Sequence, residues 1–208
     1  MNIEDTLYWK TRPVDDRRKD WKNEKGSWLE EYWESRNHPH RQLILQALKK
    51  LEPFKRIIEI GCNCGPNLAL IKKNYPDVDL MGIDVNKEAI AMGLKFLPEV
   101  SFANCSIQTF PYVLYSFDIV LIDAVFMYLY DNEIVPVLRS INNIARKAII
   151  IVDWKGTGIN YGHYARDYKH LLETETAFKK VEEIKITQEY WPSKNWSDIG
   201  YIWIAEHF

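Results

Sequence analysis

Five short runs between residues 56 and 154 are almost continuously apolar, and more polar segments separate them. Strands that are buried on both faces have this pattern, because helices cover both sides of a parallel sheet. The runs predict five buried strands, at RIIEI (56–60), VDLMGID (78–84), VSFAN (100–104), FDIVLID (117–123) and KAIIIVDW (147–154).

Helical patterns lie between these runs, at residues 66–74, 87–97 and 133–145. Strands that alternate with helices predict a parallel sheet with right-handed crossovers. Two later runs, VEEIKITQEYW and DIGYIWIAEHF, are separated by a short polar segment and predict an antiparallel hairpin that closes the sheet. The predicted fold class is a doubly wound α/β fold, with a mostly parallel seven-stranded sheet and helices on both faces.

The N-terminal region has a different composition from the rest of the chain. It is rich in charge and in tryptophan ahead of the helical pattern HRQLILQALKKL. We interpret residues 1–54 as an N-terminal helical cap or lid, and residues 55–208 as the Rossmann-like α/β domain. The length of 208 residues and the 47% hydrophobic content suit one compact domain overall.

Charge and cysteine content restrict the class of partner. The net charge of -2 argues against a nucleic-acid partner, because nucleic-acid binding relies on positive charge. The chain has no apolar run of about 20 residues and no signal-peptide core at its start, so we expect a cytoplasmic protein without a membrane partner. Cys62, Cys64 and Cys105 are expected as reduced thiols, and we predict no metal site, since His38-x-His40 is the only further clustered pair.

The loop after the first predicted strand carries the pattern Glu59-x-Gly61-x-x-x-Gly65. A dinucleotide fingerprint needs three glycines, and Asn63 occupies one of those places, which disfavours a pyrophosphate cofactor. Asp84 ends the second predicted strand, 23 positions after Gly61. A carboxylate at that point can accept hydrogen bonds from the ribose hydroxyls of an adenosine that lies across the strand ends.

These segments resemble the Rossmann-like, class I methyltransferases that depend on S-adenosylmethionine. The resemblance implies S-adenosylmethionine as the cofactor and a small molecule as the methyl acceptor. Asn63 departs from the glycine of the family's first motif, and Ser106 stands where an acid usually holds the adenine. The implied cofactor-binding residues are Glu59, Gly61, Cys62, Asn63, Gly65, Asp84, Val85, Ser106, Ile107 and Asp123.

The chemistry of methyl transfer requires few catalytic side chains. The reaction is an in-line displacement, so positioning supplies most of the acceleration, and a hydroxyl acceptor also needs a base. Our first candidates are His163, in a glycine-bearing loop after the fifth strand, and Asp123. His38, His40 and several tyrosines remain open as alternatives.

The N-terminal aromatic stretch WLEEYWESRNHPHR suggests a lid over the cofactor. We expect Trp33 or Tyr32 to cover apolar surface, and Arg36 to meet the methionine carboxylate. The segments SRNHPHR and INYGHYARDY are also faintly similar to methylases associated with pseudaminic acid and polysaccharide genes, which implies a saccharide as one acceptor class.

Two other functions remain open at the sequence level. Asp123 and Asp153 end successive strands, as in metal-dependent O-methyltransferases of the catechol type, although Trp154 stands where those enzymes have the second residue of an Asp-Asn pair. A non-catalytic scaffold with a methyltransferase-like fold is the third reading, because Asn63 and Ser106 depart from the family pattern.

Overall fold

The computed structural model describes residues 6–14, 16 and 27–207, and within them it contains nine strands and eight α-helices. The strands are β1 (Arg56–Ile60), β2 (Asp79–Asp84), β3 (Ser101–Asn104), β4 (Phe117–Asp123), β5 (Ala145–Trp154), β6 (Ile159–Asn160), β7 (His163–Tyr164), β8 (Lys180–Lys185) and β9 (Gly200–Glu206). The helices are α1 (Thr6–Thr11), α2 (Trp28–Glu34), α3 (Arg41–Lys50), α4 (Pro66–Asn74), α5 (Lys87–Phe96), α6 (Asp131–Ile144), α7 (Tyr168–Glu175) and α8 (Lys194–Ile199).

Seven strands form one sheet in the order β3-β2-β1-β4-β5-β9-β8. Strands β1 to β5 pair in parallel, whereas β9 is antiparallel to both β5 and β8. The predicted seven-stranded, mostly parallel sheet and its C-terminal antiparallel pair are confirmed. The chain reverses its winding direction between β1 and β4, and the crevice at such a switch point is where open α/β sheets bind ligands.

The two faces of the sheet are buried in two separate apolar layers. In β4, Ile119 and Leu121 belong to one layer, and Val120 and Ile122 belong to the other. Successive side chains of a strand point to opposite faces, so a strand covered by helices on both sides needs apolar residues at every position. This packing explains the unbroken apolar runs in the sequence.

The described part of the N-terminal segment packs beside the carboxyl ends of the strands. Helix α2 begins at a capping box, in which the Ser27 hydroxyl accepts from the Glu30 amide and the Glu30 carboxylate accepts from the Ser27 amide. The Asn86 side-chain amide donates to the backbone carbonyls of Trp9 and Arg12, at 2.8 and 3.1 Å. These bonds attach α1 to the start of α5. Residues 1–5, 15 and 17–26 of the predicted cap, Trp21 among them, lie outside the described residues.

Two features of the fold were absent from the sequence prediction. The segment after β5, predicted as a loop, contains the small hairpin β6-β7, whose turn has positive φ at Tyr161 and Gly162. Helix α8 lies between β8 and β9, where a short polar connection was expected. Among the described residues, no helix combines the length and the apolar character needed to cross a bilayer.

Candidate functional site

A cavity of about 540 Å³ lies over the carboxyl ends of the parallel strands. Small-molecule sites usually measure about 300–1,000 Å³, so this cavity has room for a ligand of that class. Its walls combine strand ends with the N-terminal segment, since Trp9 and Tyr32 line it together with Gly61, Asp84 and Asp123.

The loop after β1 is held against the end of β2. The backbone amides of Gly61 and Cys62 donate to the Ile83 carbonyl at 2.8 and 3.1 Å. The Asn63 amide donates to Asp84 Oδ2 at 2.8 Å, and the Asn86 amide donates to Asp84 Oδ1 at 2.8 Å. The helix cap of α5 is Asn86, whose side chain accepts from two backbone amides of the first turn. Asp84 is therefore part of the cavity wall rather than a helix cap.

Positive φ angles at three positions form the turn of this loop, at Gly61 (70°), Asn63 (52°) and Gly65 (86°). A Cβ atom on Gly61 would lie 2.4 Å from Cγ2 of Val125, which leaves no space for a side chain. Asparagine is one of the few non-glycine residues that tolerate left-handed backbone angles. Asn63 therefore keeps the turn that the family's glycine would form, and its side-chain oxygen also accepts from the Cys64 amide at 2.7 Å.

A buried polar network forms the floor of the cavity at the end of β4. Oδ2 of Asp123 accepts from His40 Nε2 at 3.0 Å, from Arg41 Nη1 at 3.3 Å and from the Asn67 side-chain amide at 2.9 Å. The Asn67 amide also donates to Glu59 Oε1 at 2.7 Å, and Arg41 donates to the Asn67 oxygen. Oδ1 of Asp123 and Oε2 of Glu59 are buried without a hydrogen-bond partner among the described residues.

The two acids of this network have opposite pKa shifts. Burial opposes ionisation of Asp123, but the His40 ring, the Arg41 guanidinium and the hydrogen bond from Asn67 outweigh burial and lower the Asp123 pKa to about 2. Burial raises the pKa of Glu59 to about 8, against the single hydrogen bond from Asn67. At neutral pH the network therefore holds an ionised Asp123 beside a protonated Glu59.

Aromatic rings form the wall of the cavity that is farther from Asp84 along the sheet. The rings of Trp191 and Trp196 stack in parallel with centroids 3.8 Å apart, and the His40 ring lies 4.1 Å from Trp191. Trp154, at the end of β5, meets Trp196 edge to face at 5.7 Å and His163 at 5.5 Å. We call these five residues the aromatic wall.

Most of the residues predicted from the sequence line this one cavity, but five do not. Those that line it are Gly61, Asn63, Asp84, Val85, Ser106, Ile107, Asp123 and His163. Glu59, Cys62 and Gly65 lie behind the lining, where Glu59 contacts it through Asn67 and Cys62 is buried.

Trp33 and Arg36 also lie outside the lining, in contrast to the predicted lid contacts. The Trp33 ring packs against Phe96 with centroids 4.8 Å apart, and Arg36 pairs with Glu34 at 3.0 Å. The helical geometry of α2 and of the turn after it explains these positions. It directs the side chains of Tyr32 and Ser35 to the cavity, and those of Trp33 and Arg36 away from it.

Asp153 does not line the cavity with Asp123, so the two carboxylates of the metal-dependent alternative are not brought together there. Its carboxylate is fully buried and accepts from the backbone amides of Met127 and Trp154, at 3.2 and 2.7 Å. Burial raises the Asp153 pKa to about 7. Within the described ranges, no three His, Cys, Asp or Glu side chains are grouped so as to hold a metal ion.

Arg41 and Asn67 are polar residues of the site that the sequence reading missed. Arg41 is the first residue of α3 and Asn67 the second of α4, so both side chains lie at helix starts near the strand ends. The polar cluster HPHR ahead of an apolar helix could have indicated Arg41 as a site residue. No sequence pattern pointed to Asn67. The sequence pattern placed Trp191 at the end of a predicted strand and Trp196 in the polar connection after it, and neither was predicted to line the site.

Comparison with known proteins points to one family. Residues 57–148 match the family model of a methyltransferase domain. A curated trans-aconitate 2-methyltransferase of Deinococcus radiodurans is 27% identical over 103 residues, which are 49% of this chain and 38% of that protein. The methyltransferase str2 of Strobilurus tenacellus is 27% identical over 161 residues, 64% of this chain and 56% of that protein. The chain thus spans about half the length, or less, of these curated relatives.

Solved structures share the fold at low identity. The plantazolicin methyltransferase BpumL, solved in complex with SAH, superposes with a TM-score of 0.64 at 19% identity, over 86% of this chain and 89% of that one. The matched domain begins at β1 and ends in β5, so it contains the loop after β1, Asp84 and Asp123. The family model thus matches a methyltransferase domain over residues 57–148, and the chain shares its fold with a solved methyltransferase.

Proposed function

We propose that this protein transfers the methyl group of S-adenosylmethionine to a small molecule bound in the same cavity. The observation that carries the proposal is the contact between the loop after β1 and Asp84, because it leaves the Asp84 carboxylate in the cavity wall. The methyltransferase domain model over residues 57–148 supports the same cofactor.

The hydrogen-bonding capacity of Asp84 suits a ribose ring. An ionised carboxylate can accept about four hydrogen bonds. The backbone amides of Asn63 and Asn86 each bond one Asp84 oxygen, and the Val85 amide is a third donor to this carboxylate. The remaining acceptor capacity would be used by the ribose hydroxyls. Val85, Ser106 and Ile107 line the adjoining wall and supply an apolar surface and a hydroxyl for the adenine.

The loop after β1 and the polar network would hold the methionine part of the cofactor. The backbone of Gly61 lines the cavity, and the absence of a Cβ at this position leaves room for the Val125 side chain beside it. Arg41, the arginine that lines the cavity among the described residues, would take the role expected for Arg36. When it is bound, S-adenosylmethionine supplies an electrophilic methyl group.

The acceptor would bind between the described N-terminal residues and the aromatic wall. His163 lines this part of the cavity, and its Nδ1 is buried without a partner among the described residues. Trp9 and Tyr32 cover the cavity from the side of residues 1–54, which supports a lid role for that segment. Flat aromatic rings bind planar or C–H-rich faces, so a saccharide is one acceptor class that fits this wall.

Calorimetric titration of the full chain with S-adenosylmethionine, and separately with SAH, tests the proposal. We expect micromolar affinity and a higher melting temperature, because a ligand that binds only the native state stabilises it by mass action. The absence of both heat and thermal shift at millimolar ligand would contradict the cofactor assignment, and would favour the scaffold reading.

A further inference from the structure

Two histidines connect the cavity to Asp123. Nε2 of His40 lies 3.0 Å from Asp123 Oδ2, and Nδ1 of His40 lies 2.6 Å from Nδ1 of His38. Both rings line the cavity, His40 being buried and His38 half-buried. The three side chains therefore form one continuous hydrogen-bonded chain that runs from the buried carboxylate to the ligand space.

The order of donors and acceptors in this chain follows from the ionised state of Asp123. A carboxylate only accepts hydrogen bonds, so the proton of neutral His40 must be on Nε2. Nδ1 of His40 is then a lone-pair acceptor, and the 2.6 Å contact is a hydrogen bond only when the proton of His38 is on its Nδ1. The backbone amide of His40 also points to His38 Nδ1, but at 3.4 Å it is the much longer contact, so the ring–ring contact decides the tautomer. Nε2 of His38 is left as an unprotonated nitrogen at the cavity end of the chain.

The same contact argues against shared metal binding by the two rings. Two nitrogens that each bind one zinc ion at about 2.0–2.1 Å stand roughly 3.3 Å apart in a tetrahedral arrangement. The two Nδ1 atoms are 2.6 Å apart, which is far shorter than that spacing. The separation lies at the short end of hydrogen-bond distances, so the contact is between one N–H and one lone pair.

The geometry favours His38 over either of our first candidates as the proton acceptor, although burial and the neighbouring His40 and Arg41 lower the His38 pKa to about 4. The carboxylate of Asp123 is a weak base, because three donors already hold its Oδ2 and its pKa is about 2. His163 has aromatic neighbours, Trp154 and Tyr128, and its buried Nδ1 has no hydrogen-bond partner in the described part of the chain. A proton taken by His38 can be passed on until the positive charge rests on His40, beside the ionised Asp123.

We propose that His38 is the general base of the reaction, that His40 and Asp123 act as its proton relay, and that the acceptor is therefore a hydroxyl group. The inference rests on the proposed methyl transfer. A neutral amine attacks with its own lone pair, whereas a hydroxyl needs a base at the transition state itself. The relay therefore favours a hydroxyl acceptor, and an aliphatic amine would use it only to lose its extra proton before the attack.

Atoms and charge balance in this step. A lone pair of the acceptor oxygen forms the new bond to the methyl carbon, and the electron pair of the broken carbon–sulfur bond stays on sulfur. The hydroxyl proton moves to Nε2 of His38, and the proton on Nδ1 of His38 moves to Nδ1 of His40. The resulting imidazolium of His40 keeps its Nε2–H bond to Asp123.

The first experiment determines the tautomers and needs no acceptor. Long-range ¹H–¹⁵N NMR of the ¹⁵N-labelled full chain, near neutral pH, distinguishes Nδ1–H from Nε2–H rings, and His38→Gln and His40→Gln variants assign the signals. We expect Nδ1–H on His38 and Nε2–H on His40, and a mixture of tautomers in Asp123→Asn. An Nε2–H tautomer on His38 would overturn the proposal, because that ring could not take a proton from the cavity.

The second experiment measures the base directly. Trideuteromethyl S-adenosylmethionine is incubated with phenol, benzyl alcohol and methyl glucoside, and methyl ethers are detected by mass spectrometry. We expect His38→Ala to lower turnover about 100-fold or more, the usual contribution of a general base, and imidazole to restore part of it. His170→Ala, at an exposed position on α7, should keep wild-type turnover.

The two proposals can fail separately. If the wild-type chain does not bind S-adenosylmethionine, the proposed function fails. If His38→Ala binds the cofactor normally and keeps full turnover, only the base assignment fails. If none of the three probes is methylated, the tautomer measurement decides the question alone.

Discussion

The backbone amide of Asn63 donates a 2.8 Å hydrogen bond to the carboxylate of Asp84, across 21 residues of sequence. Asn63 has a φ of 52°, so the left-handed turn of the loop after β1 directs this amide to the end of β2. The bond joins the two segments that would hold the cofactor. Substitutions at Asp84 test the affinity for the cofactor, and substitutions at Asn63 test the stability of the turn.

Replacing Asp84 with Ala should weaken binding of S-adenosylmethionine by about tenfold or more. The variant loses the charged acceptor for the ribose hydroxyls, and one charged hydrogen bond contributes about 1.5–3 kcal/mol. Calorimetric titration measures the change. Asp79→Ala, at the exposed start of the same strand, should bind like the wild type. Equal affinity in both variants would mean that Asp84 only holds the loop.

Replacing Asn63 with Ala should destabilise the protein by about 1–2 kcal/mol, whereas Asn63→Gly should cost less. Both variants lose the hydrogen bond between the Asn63 side chain and the Cys64 amide. Alanine is also strained at positive φ, whereas glycine is not. Urea unfolding of the two variants measures the difference. A more stable Ala variant would contradict the left-handed turn.

The free energy of unfolding should fall as the pH rises from about 6.5 to 8.5. Glu59 has a pKa raised by burial to about 8, so the folded chain keeps a proton that the unfolded chain has already lost. Stability from such a group is complete below its unfolded pKa and is lost as pH rises through the folded pKa. Over this window Glu59 alone contributes on the order of 2 kcal/mol.

The Glu59→Gln variant is the matched control for this pH dependence. Glutamine keeps the shape of a protonated Glu59 and the acceptor for Asn67, but it does not titrate. The variant should gain stability relative to the wild type between pH 6.5 and pH 8.5 in urea unfolding. His38 and His40 have lowered pKa values in the fold, and the same residues in the unfolded chain still lose protons near pH 6.5. Both proteins share these histidines, so the difference between their two curves isolates Glu59. Parallel curves for the two proteins would contradict a raised Glu59 pKa.

Methyl transfer should survive chelation. Asp153 accepts from two backbone amides and does not face Asp123 across the cavity, so the carboxylate pair of the catechol type is not assembled. SAH release should be equal before and after EDTA treatment followed by desalting. Activity that EDTA removes and magnesium restores would favour the metal-dependent alternative.

Replacing His163 with Ala should lower turnover about tenfold and leave the affinity for S-adenosylmethionine nearly unchanged. His163 lies at the acceptor end of the cavity, so its loss removes about one neutral hydrogen bond to the acceptor. Steady-state kinetics with a probe alcohol, together with calorimetry, separate the two effects. His207→Ala, whose ring packs on Phe178 away from the cavity lining, serves as the control. Full turnover in His163→Ala would leave His163 as an ordinary hairpin residue.

The sequence by itself determined the sheet and the half of the site near β2. Strand β4 and helix α4 begin and end where the sequence pattern predicts. A strand that is buried on both faces needs apolar residues at every position, and such a run is recognisable in the sequence. The loop after β1 and Asp84 were also readable, since a turn that needs positive φ restricts residue type and the next strand end follows at a regular distance.

Only the tertiary structure decided the other half of the site. His40 and Asp123 are 83 residues apart, and their contact depends on how α3 packs over the end of β4. The same packing places Arg41 in the cavity lining and leaves Arg36 outside it, although both residues follow the same aromatic helix in the sequence. Trp191 and Trp196 reach the cavity because the segment between β8 and β9 folds back over β5. Long-range packing chooses among chemically equivalent side chains, and a local pattern contains no information about that choice.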